Sequence, residues 1–487
     1  MLFPTLSFGL FFAVVFVLSW SLRNTDGWRK FALLAASYFF YSCWDWRFTA
    51  LLAGSSSLNY LAGLALARAT GERTRSIIAG FAVALNLLVL GAFKYYGFFI
   101  EQLASLLDHL GLSRDLPFLE VILPVGISFF TFHGISYVVD VRRREVEPVS
   151  SPLDLFLYIS FFPQLVAGPI VRAAYFLPQL RQKPQLDAAS LAYSVVLILS
   201  GMFKKTVVAG YLASGIVDQA FQDPSAYGAA DLVLAVYAYA MQIYCYFSGY
   251  TDIAIGLAAL LGYRFKANFN QPYRSASLRE FWRRWHISLS EWLRDYLYKP
   301  LGGSRYGELA TYRNLLLTML LGGIWHGAAW NFVVWGGIHG TALAGERFFG
   351  SLWGGGRPAP DHPPGRAVAV LRSIFNGIGH IFGVLLTFNI VCLAWVFFRS
   401  PDIGAAFSYL GQIAKGGTGL QLTTPFVLGL TGLTLAAQFL PTDAARHAAR
   451  QIEWMRGWHY GLLLGLGLAM MRALGPEGIA PFIYFQF

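Results

Sequence analysis

The stretch LGGIWHGAAWNFVVWGGIHG, residues 321–340, decides the fold because it places a histidine deep inside an apolar segment. His326 is flanked there by glycines, by small side chains and by the tryptophans Trp325 and Trp330. The surrounding run, residues 314–346, is apolar and long enough to lie in a membrane. An ionisable side chain at membrane depth is energetically costly, which makes this histidine a candidate functional group.

The composition of the whole chain supports a membrane location. Of its 487 residues, 56% are hydrophobic and 13% are charged, and its mean hydropathy is +0.51, whereas soluble domains carry about 25% charged residues. Apolar stretches of helix-spanning length recur, while a transmembrane barrel would alternate polar and apolar residues over about ten positions. We therefore predict an all-α polytopic membrane protein, with one membrane domain over residues 1–487 and its first apolar segment retained as a helix.

The net charge of +11 indicates arginine-rich cytoplasmic loops and not a nucleic-acid site, because basic residues are retained on the cytoplasmic side of membranes. The basic region 264–313 precedes the run 314–346, and further arginines follow from Arg347 onward. If both flanks are cytoplasmic, the run enters and leaves the membrane on one face, with a break that we place near Gly322–Gly323. Irregular backbone at this depth needs protein or a cavity around it, so we predict a cavity around residues 322–330.

A second histidine lies in SLREFWRRWHISLSEWLRDYLYKPLGGSR, residues 277–305. Apolar side chains recur here at spacings of three and four, which predicts one amphipathic helix at the cytoplasmic interface, with Arg283 and Arg284 on its polar side. His286 falls on the apolar stripe of this helix. Two interpretations are open: an interfacial histidine that makes a packing hydrogen bond, or a residue of the active site.

Two roles are also open for His326. Burial favours the neutral imidazole, which is the form that acts as a general base, and the alternative is a neutral histidine that bridges two helices. Asp252 is a carboxylate inside an apolar helix. It either orients a histidine or pairs with one of the adjacent lysines Lys204 and Lys205.

The remaining sequence suggests one anion-binding residue and excludes several chemistries. Arg172 follows residues 153–170, a segment interrupted by proline and glycine that we predict to be re-entrant, and its guanidinium could bind a phosphate. The chain has no GxSxG, P-loop lysine, HExxH or CxxC motif. A serine hydrolase, an ATPase and a zinc enzyme are therefore unsupported, and we predict no metal site.

Four stretches together resemble the membrane-bound O-acyltransferase (MBOAT) superfamily, and within it the bacterial alginate O-acetyltransferase branch. They are EFWRRWHISLSEWLRDYLYKPLGG, GGIWHGAAWNFVVWGGIHG, YFSGYTDIAIG and VAGPIVR, and the similarity runs along essentially the whole chain. The resemblance implies a multi-helix bundle with re-entrant segments and a central tunnel. It also implies that His326 is the essential histidine and His286 the second one, with Asp252, Trp325 and Asn331 in supporting roles.

The resemblance further implies an activity and its partners. Relatives in this branch move an acetyl group from a cytoplasmic donor across the bacterial inner membrane, for O-acetylation of alginate, cellulose or peptidoglycan by a periplasmic or membrane-anchored acetyltransferase partner. We expect acetyl-CoA as donor and no other cofactor, with the donor diphosphate at Arg283, Arg284 and Arg172. The alternatives are D-alanyl transfer to teichoic acid and a polysaccharide transporter subunit without chemistry.

The stretch PFIYFQF, residues 481–487, is rich in aromatic residues and carries no charge. In the D-alanylating relatives a small separate membrane peptide ends in a similar hexapeptide, with its tyrosine in the position that Tyr484 occupies here. The resemblance therefore implies that the Tyr484 phenol carries the acyl group toward the outer partner. The alternative is an ordinary aromatic anchor at the membrane interface.

Overall fold

The computed structural model describes residues 3, 5–112, 121–354, 366–417 and 419–476, and the side chains of residues 351–376 are left out of the description. The described residues form helices and connecting turns and contain no strand, which confirms the all-α prediction. The helices are α1 Leu6–Ser21, α2 Asp26–Ser42, α3 Arg47–Arg68, α4 Glu72–Lys94, α5 Tyr96–His109, α6 Ile127–Arg143, α7 Pro152–Ser160, α8 Phe162–Leu165, α9 Ala173–Leu180, α10 Ala188–Met202, α11 Ala209–Leu212, α12 Asp218–Gln222, α13 Ala229–Leu260, α14 Leu278–Arg284, α15 Ile287–Leu293, α16 Glu308–His326, α17 Trp330–Gly354, α18 Arg366–Arg399, α19 Ile403–Lys415, α20 Pro425–Ala436, α21 Ala444–Ile452 and α22 Gly457–Leu474.

Several helical stretches are long and apolar enough to cross a membrane. Within the described residues there are five such stretches, and a sixth if the bent pair Pro425–Phe439 and Ala444–Ile452 forms one span. This confirms an integral membrane protein. The five stretches are Arg47–Arg68, Glu72–Lys94, Ala188–Gln222, Ala229–Leu260 and Gly377–Arg399.

The chain divides into two compact units. The first contains residues 1–206, 247–267 and 443–475, and the second contains residues 207–246, 268–442 and 476–487. The expectation of one membrane domain over the whole chain stays a prediction.

In the first unit, charged side chains are buried together with partners. Arg29 is buried, and its guanidinium donates to the Tyr263 hydroxyl at 2.9 Å and to the Leu261 carbonyl. The neighbouring Lys30 forms ion pairs with Asp26 at 2.7 Å and Asp154 at 3.0 Å. These contacts satisfy charges that would otherwise be costly inside an apolar unit.

The segment predicted to be re-entrant folds into two short helices in the first unit. Helix α7 has nine residues and α8 has four, well below the roughly 20 residues that a membrane-spanning helix needs. Phe161, with ψ of 111°, separates them. This segment therefore cannot cross the membrane as one helix.

In the second unit, α16 and α17 form an antiparallel hairpin whose backbones approach closely at glycines. A Cβ atom on Gly336 would lie 3.0 Å from the Met319 carbonyl carbon, and one on Gly340 would lie 3.0 Å from Leu316 Cα. Small residues at such positions allow two helices to pack backbone to backbone. The hairpin brings the two ends of this run to the same end of the helix pair, and its orientation in the membrane stays a prediction.

The predicted position of the break in this hairpin is wrong. Helix α16 continues through Gly322 and Gly323 to His326, and the chain turns over residues 327–329. Gly323 instead faces the backbone of Phe332 on the partner helix. The glycine pair therefore serves helix packing, and the turn falls directly after the histidine.

The prediction of one amphipathic helix over residues 277–305 is also wrong. Helix α14 ends at Arg284, and α15 begins at Ile287. Trp285 is extended, and His286 has a left-handed backbone with φ 42° and ψ 55°. A left-handed backbone is not compatible with a continuous α-helix. The stretch therefore forms two helices, and His286 lies at the break between them.

Candidate active site

His326 is buried at the last position of α16, among aromatic rings of the second unit. Its ring centroid lies 4.8 Å from that of Trp325, 5.0 Å from Trp335 and 5.3 Å from Phe398, each ring nearly perpendicular to the imidazole. Such edge-to-face contacts hold a ring in one orientation. The structure therefore places the imidazole in an aromatic cage at the turn of the hairpin.

The turn depends on the residue that follows the histidine. Any side chain on Gly327 would overlap the ring of Phe332. Phe332 in turn packs edge to face on Phe398, at 5.1 Å between ring centroids. Glycine at position 327 lets the chain reverse immediately after His326 without displacing a wall of its cage.

Asn331, predicted as a supporting residue, joins α17 to the end of α18. Its side-chain amide donates to the carbonyl oxygens of Phe397 at 3.2 Å and Ser400 at 2.7 Å. These bonds flank Phe398, which contacts His326. Asn331 therefore positions Phe398, one wall of the cage. Its two hydrogen bonds go to backbone carbonyls and not to the imidazole.

His286 lies close to the same cage. It is 5% exposed, and its ring centroid is 6.5 Å from that of Trp325, which also contacts His326. Burial lowers the pKa of His286 to about 4, so its imidazole is neutral at physiological pH. The structure thus brings together three predicted residues, since the rings of both histidines contact Trp325.

The backbone turn at His286 is held by a residue that the sequence did not single out. The carbonyl oxygen of Asn268 accepts from the Ile287 N–H at 2.9 Å. Its side-chain oxygen accepts from both the N–H and the hydroxyl of Ser288, at 3.0 and 2.9 Å. Asn268 therefore fixes the first turn of α15 and with it the position of the histidine.

Glu346 was likewise missed, because it acts across 68 residues of sequence. Its carboxylate accepts from the Leu278 N–H at 2.7 Å and from the Arg279 N–H at 3.3 Å. A carboxylate at a helix N-terminus satisfies free N–H groups and interacts favourably with the helix dipole. This contact docks the start of α14 on α17.

A third buried histidine contacts Trp335, one wall of the cage. His339 is fully buried, with its ring centroid 4.8 Å from Trp335 and 5.1 Å from Trp282. The turn over residues 327–329 puts His326 on α16 and His339 on α17. Both histidine rings contact the ring of Trp335. The spacing of four residues between Trp335 and His339 on one helix was the available signal.

The structure decides between the two roles considered for Asp252. Its carboxylate forms an ion pair with Lys204 in the first unit, while the adjacent Lys205 lies over the ring of Tyr250 at 4.6 Å. Lys204 and Lys205 belong to a π-helical segment, Phe203–Val208. Asp252 therefore pairs with a lysine within its own unit.

The three arginines expected at the donor differ in their surroundings. Arg283 is exposed and forms no ion pair with any residue that the structure describes. Arg284 donates to Glu280 at 2.9 Å and to the Asn270 carbonyl at 3.2 Å, so it ties down the break after α14. Arg172 is half-buried before α9 in the first unit.

Two further predictions concern Tyr484 and the absence of a metal site. Tyr484 lies outside the described residues. Across the described part of the chain, no group of three or more His, Cys, Asp or Glu side chains is placed to hold a metal ion. Both expectations stay predictions.

The fold and the buried histidines define a class of protein, which comparison with known families identifies. The model of the MBOAT, membrane-bound O-acyltransferase, family matches residues 74–354. The chain belongs to this family and is an O-acyltransferase. The alternative of a transporter subunit without chemistry is thereby set aside.

Individual relatives extend the similarity to almost the full chain. The chain is 38% identical to a probable alginate O-acetylase AlgI of Pseudomonas putida, over 94% of this chain and 95% of that protein. It is 30% identical to a peptidoglycan O-acetyltransferase of Helicobacter pylori, over 94% and 91% of the two chains. With a teichoic acid D-alanyltransferase of Bacillus subtilis the identity is 28%, over 61% of this chain and 76% of that one.

Proposed function

We propose that this protein transfers acetyl groups from cytoplasmic acetyl-CoA across the bacterial inner membrane, for O-acetylation of an extracytoplasmic polysaccharide. The observation that carries the proposal is the buried pair His326 and His286, whose rings both contact the ring of Trp325. The similarity to alginate and peptidoglycan O-acetylases over 94% of the chain supports acetyl as the group transferred. The D-alanyltransferase similarity covers 61% of the chain and makes D-alanyl the second candidate.

His326 acts as the general base in the proposed step. Its imidazole takes the proton of an acceptor hydroxyl while the hydroxyl oxygen attacks the carbonyl carbon of the acetyl thioester. A carbon–oxygen bond forms, the carbon–sulfur bond breaks, and the departing coenzyme A thiolate takes the proton from the His326 imidazolium, which returns to its neutral form. The products are an acetyl ester and free coenzyme A, so atoms and charges balance without a metal or redox cofactor.

The proposed reaction has a donor on the cytoplasmic side and a partner and a polymer on the outer side. Acetyl-CoA remains on the cytoplasmic side because its nucleotide is large and charged, while the acetyl group is small enough to pass. A periplasmic or membrane-anchored acetyltransferase then places the group on the polysaccharide. Alginate, cellulose and peptidoglycan are all polymers of hydroxyl-bearing sugars and fit this chemistry.

Labelled donor tests the proposal directly. Membrane vesicles that contain the protein and its genetic partners receive acetyl-CoA labelled with ¹³C in the acetyl group, and mass spectrometry follows the label into cell-surface polysaccharide. We expect label in ester form only when the protein is present. Unlabelled polymer, together with D-alanine esters in intact cells, would favour the D-alanyl alternative.

Charge reversal of Arg283 should weaken the use of acetyl-CoA. Arg283 is exposed, so Arg283→Glu removes attraction for the donor diphosphate without breaking a described ion pair. We expect a several-fold increase in the KM for acetyl-CoA at low salt and a smaller one at high salt, because salt screens the attraction that is lost. The measurement is acetyl transfer in vesicles at two ionic strengths.

Arg279→Glu is the matched control, since Arg279 lies on the same short helix and is also exposed. An equal rise in KM for both variants would indicate a diffuse field of positive charge. Unchanged KM in Arg283→Glu would restrict this arginine to a role in membrane topology.

Tyr484→Phe should abolish delivery of acetyl to the polymer while the protein remains in the membrane. The substitution keeps the ring and its apolar area and removes only the hydroxyl that would carry the acetyl group. In the relay, a deprotonated phenol attacks the thioester, and the resulting aryl ester is reactive enough to pass the acetyl on. Polymer acetylation measured by mass spectrometry checks the prediction.

Tyr484→Trp serves as a second variant, because it retains an interfacial aromatic residue without a phenol. Both variants are expected to be inactive in delivery. Full acetylation by either would mean that the aromatic segment is only an anchor.

A further inference from the structure

The two ring nitrogens of His286 have different surroundings. His286 is the N-cap of α15, and its Nδ1 accepts a hydrogen bond from the backbone N–H of Leu289 at 3.3 Å. A side-chain acceptor at this position satisfies one of the free N–H groups of the helix N-terminus. Among the described residues, none forms a hydrogen bond with Nε2.

This hydrogen bond determines which nitrogen carries the proton. A backbone N–H can only donate, so Nδ1 must present its lone pair. A neutral imidazole with an accepting Nδ1 carries its proton on Nε2 and can only donate there. Nε2 of His286 can therefore donate a hydrogen bond, but it has no lone pair available to accept a proton.

The backbone around His286 keeps the imidazole in this arrangement. The residue has φ 42°, a left-handed conformation that is uncommon outside glycine. Asn268 holds the next two residues through three hydrogen bonds, at 2.9, 3.0 and 2.9 Å. A strained residue that is fixed this firmly is typical of a functional site.

We infer that His286 serves acyl transfer as an Nε2–H hydrogen-bond donor to the carbonyl oxygen of the acyl thioester, while His326 alone acts as the base. Both imidazoles contact Trp325, at 6.5 and 4.8 Å between ring centroids. The attack places negative charge on the carbonyl oxygen, and a fixed donor stabilises that charge. This inference rests on the proposed function and adds the division of roles between the two histidines.

Two substitutions separate the capping nitrogen from the donating nitrogen. In His286→Asn, the side-chain oxygen reproduces the Nδ1 acceptor, and asparagine is both a favoured N-cap and tolerant of left-handed backbone. It has no N–H at the position of Nε2. In His286→Gln, the longer side chain can bring an amide N–H to that position, but it caps the helix poorly.

We expect opposite effects on stability and on catalysis. His286→Asn should unfold at the temperature of the unsubstituted protein, and its kcat should fall about 100- to 1,000-fold, with little change in the KM for the donor. His286→Gln should unfold at a lower temperature, yet per folded molecule it should be clearly more active than His286→Asn. Thermal unfolding in detergent and acetyl transfer in vesicles provide the two measurements.

The outcomes distinguish this inference from the proposed function. The proposed function fails if the unsubstituted protein does not transfer acetyl from acetyl-CoA, and the two variants are then compared with the thioester that it does use. The inference fails if His286→Asn has full activity, or if His286→Gln is no more active than His286→Asn.

A spectroscopic measurement tests the tautomer without any assay of activity. Protein labelled with ¹⁵N in histidine, compared with His286→Asn, allows the His286 ring signals to be assigned by NMR. We expect a protonated Nε2 and an unprotonated Nδ1 at neutral pH. The reverse tautomer would overturn the inference.

Discussion

Replacement of His326 by alanine should leave a folded, membrane-inserted protein whose acyl transfer is reduced by about 100- to 10,000-fold, the range that a positioned general base contributes. The imidazole lies at the turn of a hairpin, within a cage formed by Trp325, Trp335 and Phe398. The rings of these three walls offer no group that accepts a proton at neutral pH. The measurement is ¹³C-acetyl transfer in vesicles with equal amounts of membrane-inserted protein.

His447→Ala is the matched control for this substitution. His447 lies on α21 in the first unit with 62% of its side chain exposed, and pairs there with Asp443 at 3.1 Å. Its removal should leave activity near that of the unsubstituted protein. His286→Ala should impair transfer less completely than His326→Ala, because it removes a donor and a helix cap but leaves the base.

The alternative role of His326, a histidine that bridges two helices, predicts a different result. A bridging histidine would lower the unfolding temperature when replaced, and the activity that remained would follow the amount of folded protein. A catalytic base would affect the rate per folded molecule. Near-normal polysaccharide acetylation in His326→Ala would exclude this residue as the base.

The sequence was sufficient to find the histidines but not the turns that position them. The apolar spacing of Trp282, Leu289 and Leu293 continues across the break at His286 as if the helix were continuous. The break is held by Asn268, which lies 18 residues earlier than His286 and outside any local pattern. Periodicity reports which side chains are apolar, and it does not report a backbone reversal imposed by a tertiary contact.

The partners of the two carboxylates Asp252 and Glu346 also could not be predicted from the sequence. Asp252 was expected to pair with either a histidine or a lysine, and only three-dimensional structure could select Lys204. Glu346 caps a helix that begins 68 residues before it. Both are single carboxylates in apolar sequence, where the residue type indicates that a partner exists but not which residue it is.

Glycines in an apolar run can mark either a chain break or a close helix contact, and the sequence does not distinguish the two. At Gly322–Gly323 we expected a break, whereas the helix continues and Gly323 packs against α17. The break lies at Gly327, where a side chain would overlap Phe332. The difference depends on what lies opposite each glycine, which only the folded hairpin determines.

Gly336→Ala should therefore destabilise the hairpin strongly, although alanine is the better helix former. The added Cβ would lie within about 3 Å of the Met319 backbone on α16, and backbone cannot move aside as the end of a flexible side chain can. Overpacking of this kind costs about 1–3 kcal/mol or more, which exceeds the roughly 1 kcal/mol that alanine gains over glycine in a helix. Because the neighbouring Trp335 contacts His326, acyl transfer should fall as well.

Gly345→Ala on the same helix is the control that isolates the helix contact from helix propensity. Among the described residues, no atom other than those of its chain neighbours and its own helix backbone lies within 4 Å of the Cβ that it would add, so this substitution should be neutral or stabilising by up to about 1 kcal/mol. Thermal unfolding of the two purified variants in detergent gives the comparison, with acetyl transfer as the second readout. If Gly336→Ala unfolds at the same temperature as Gly345→Ala, the hairpin is not packed backbone to backbone at this position. The contact between Gly336 and Met319 would then not determine the position of Trp335 beside the His326 imidazole.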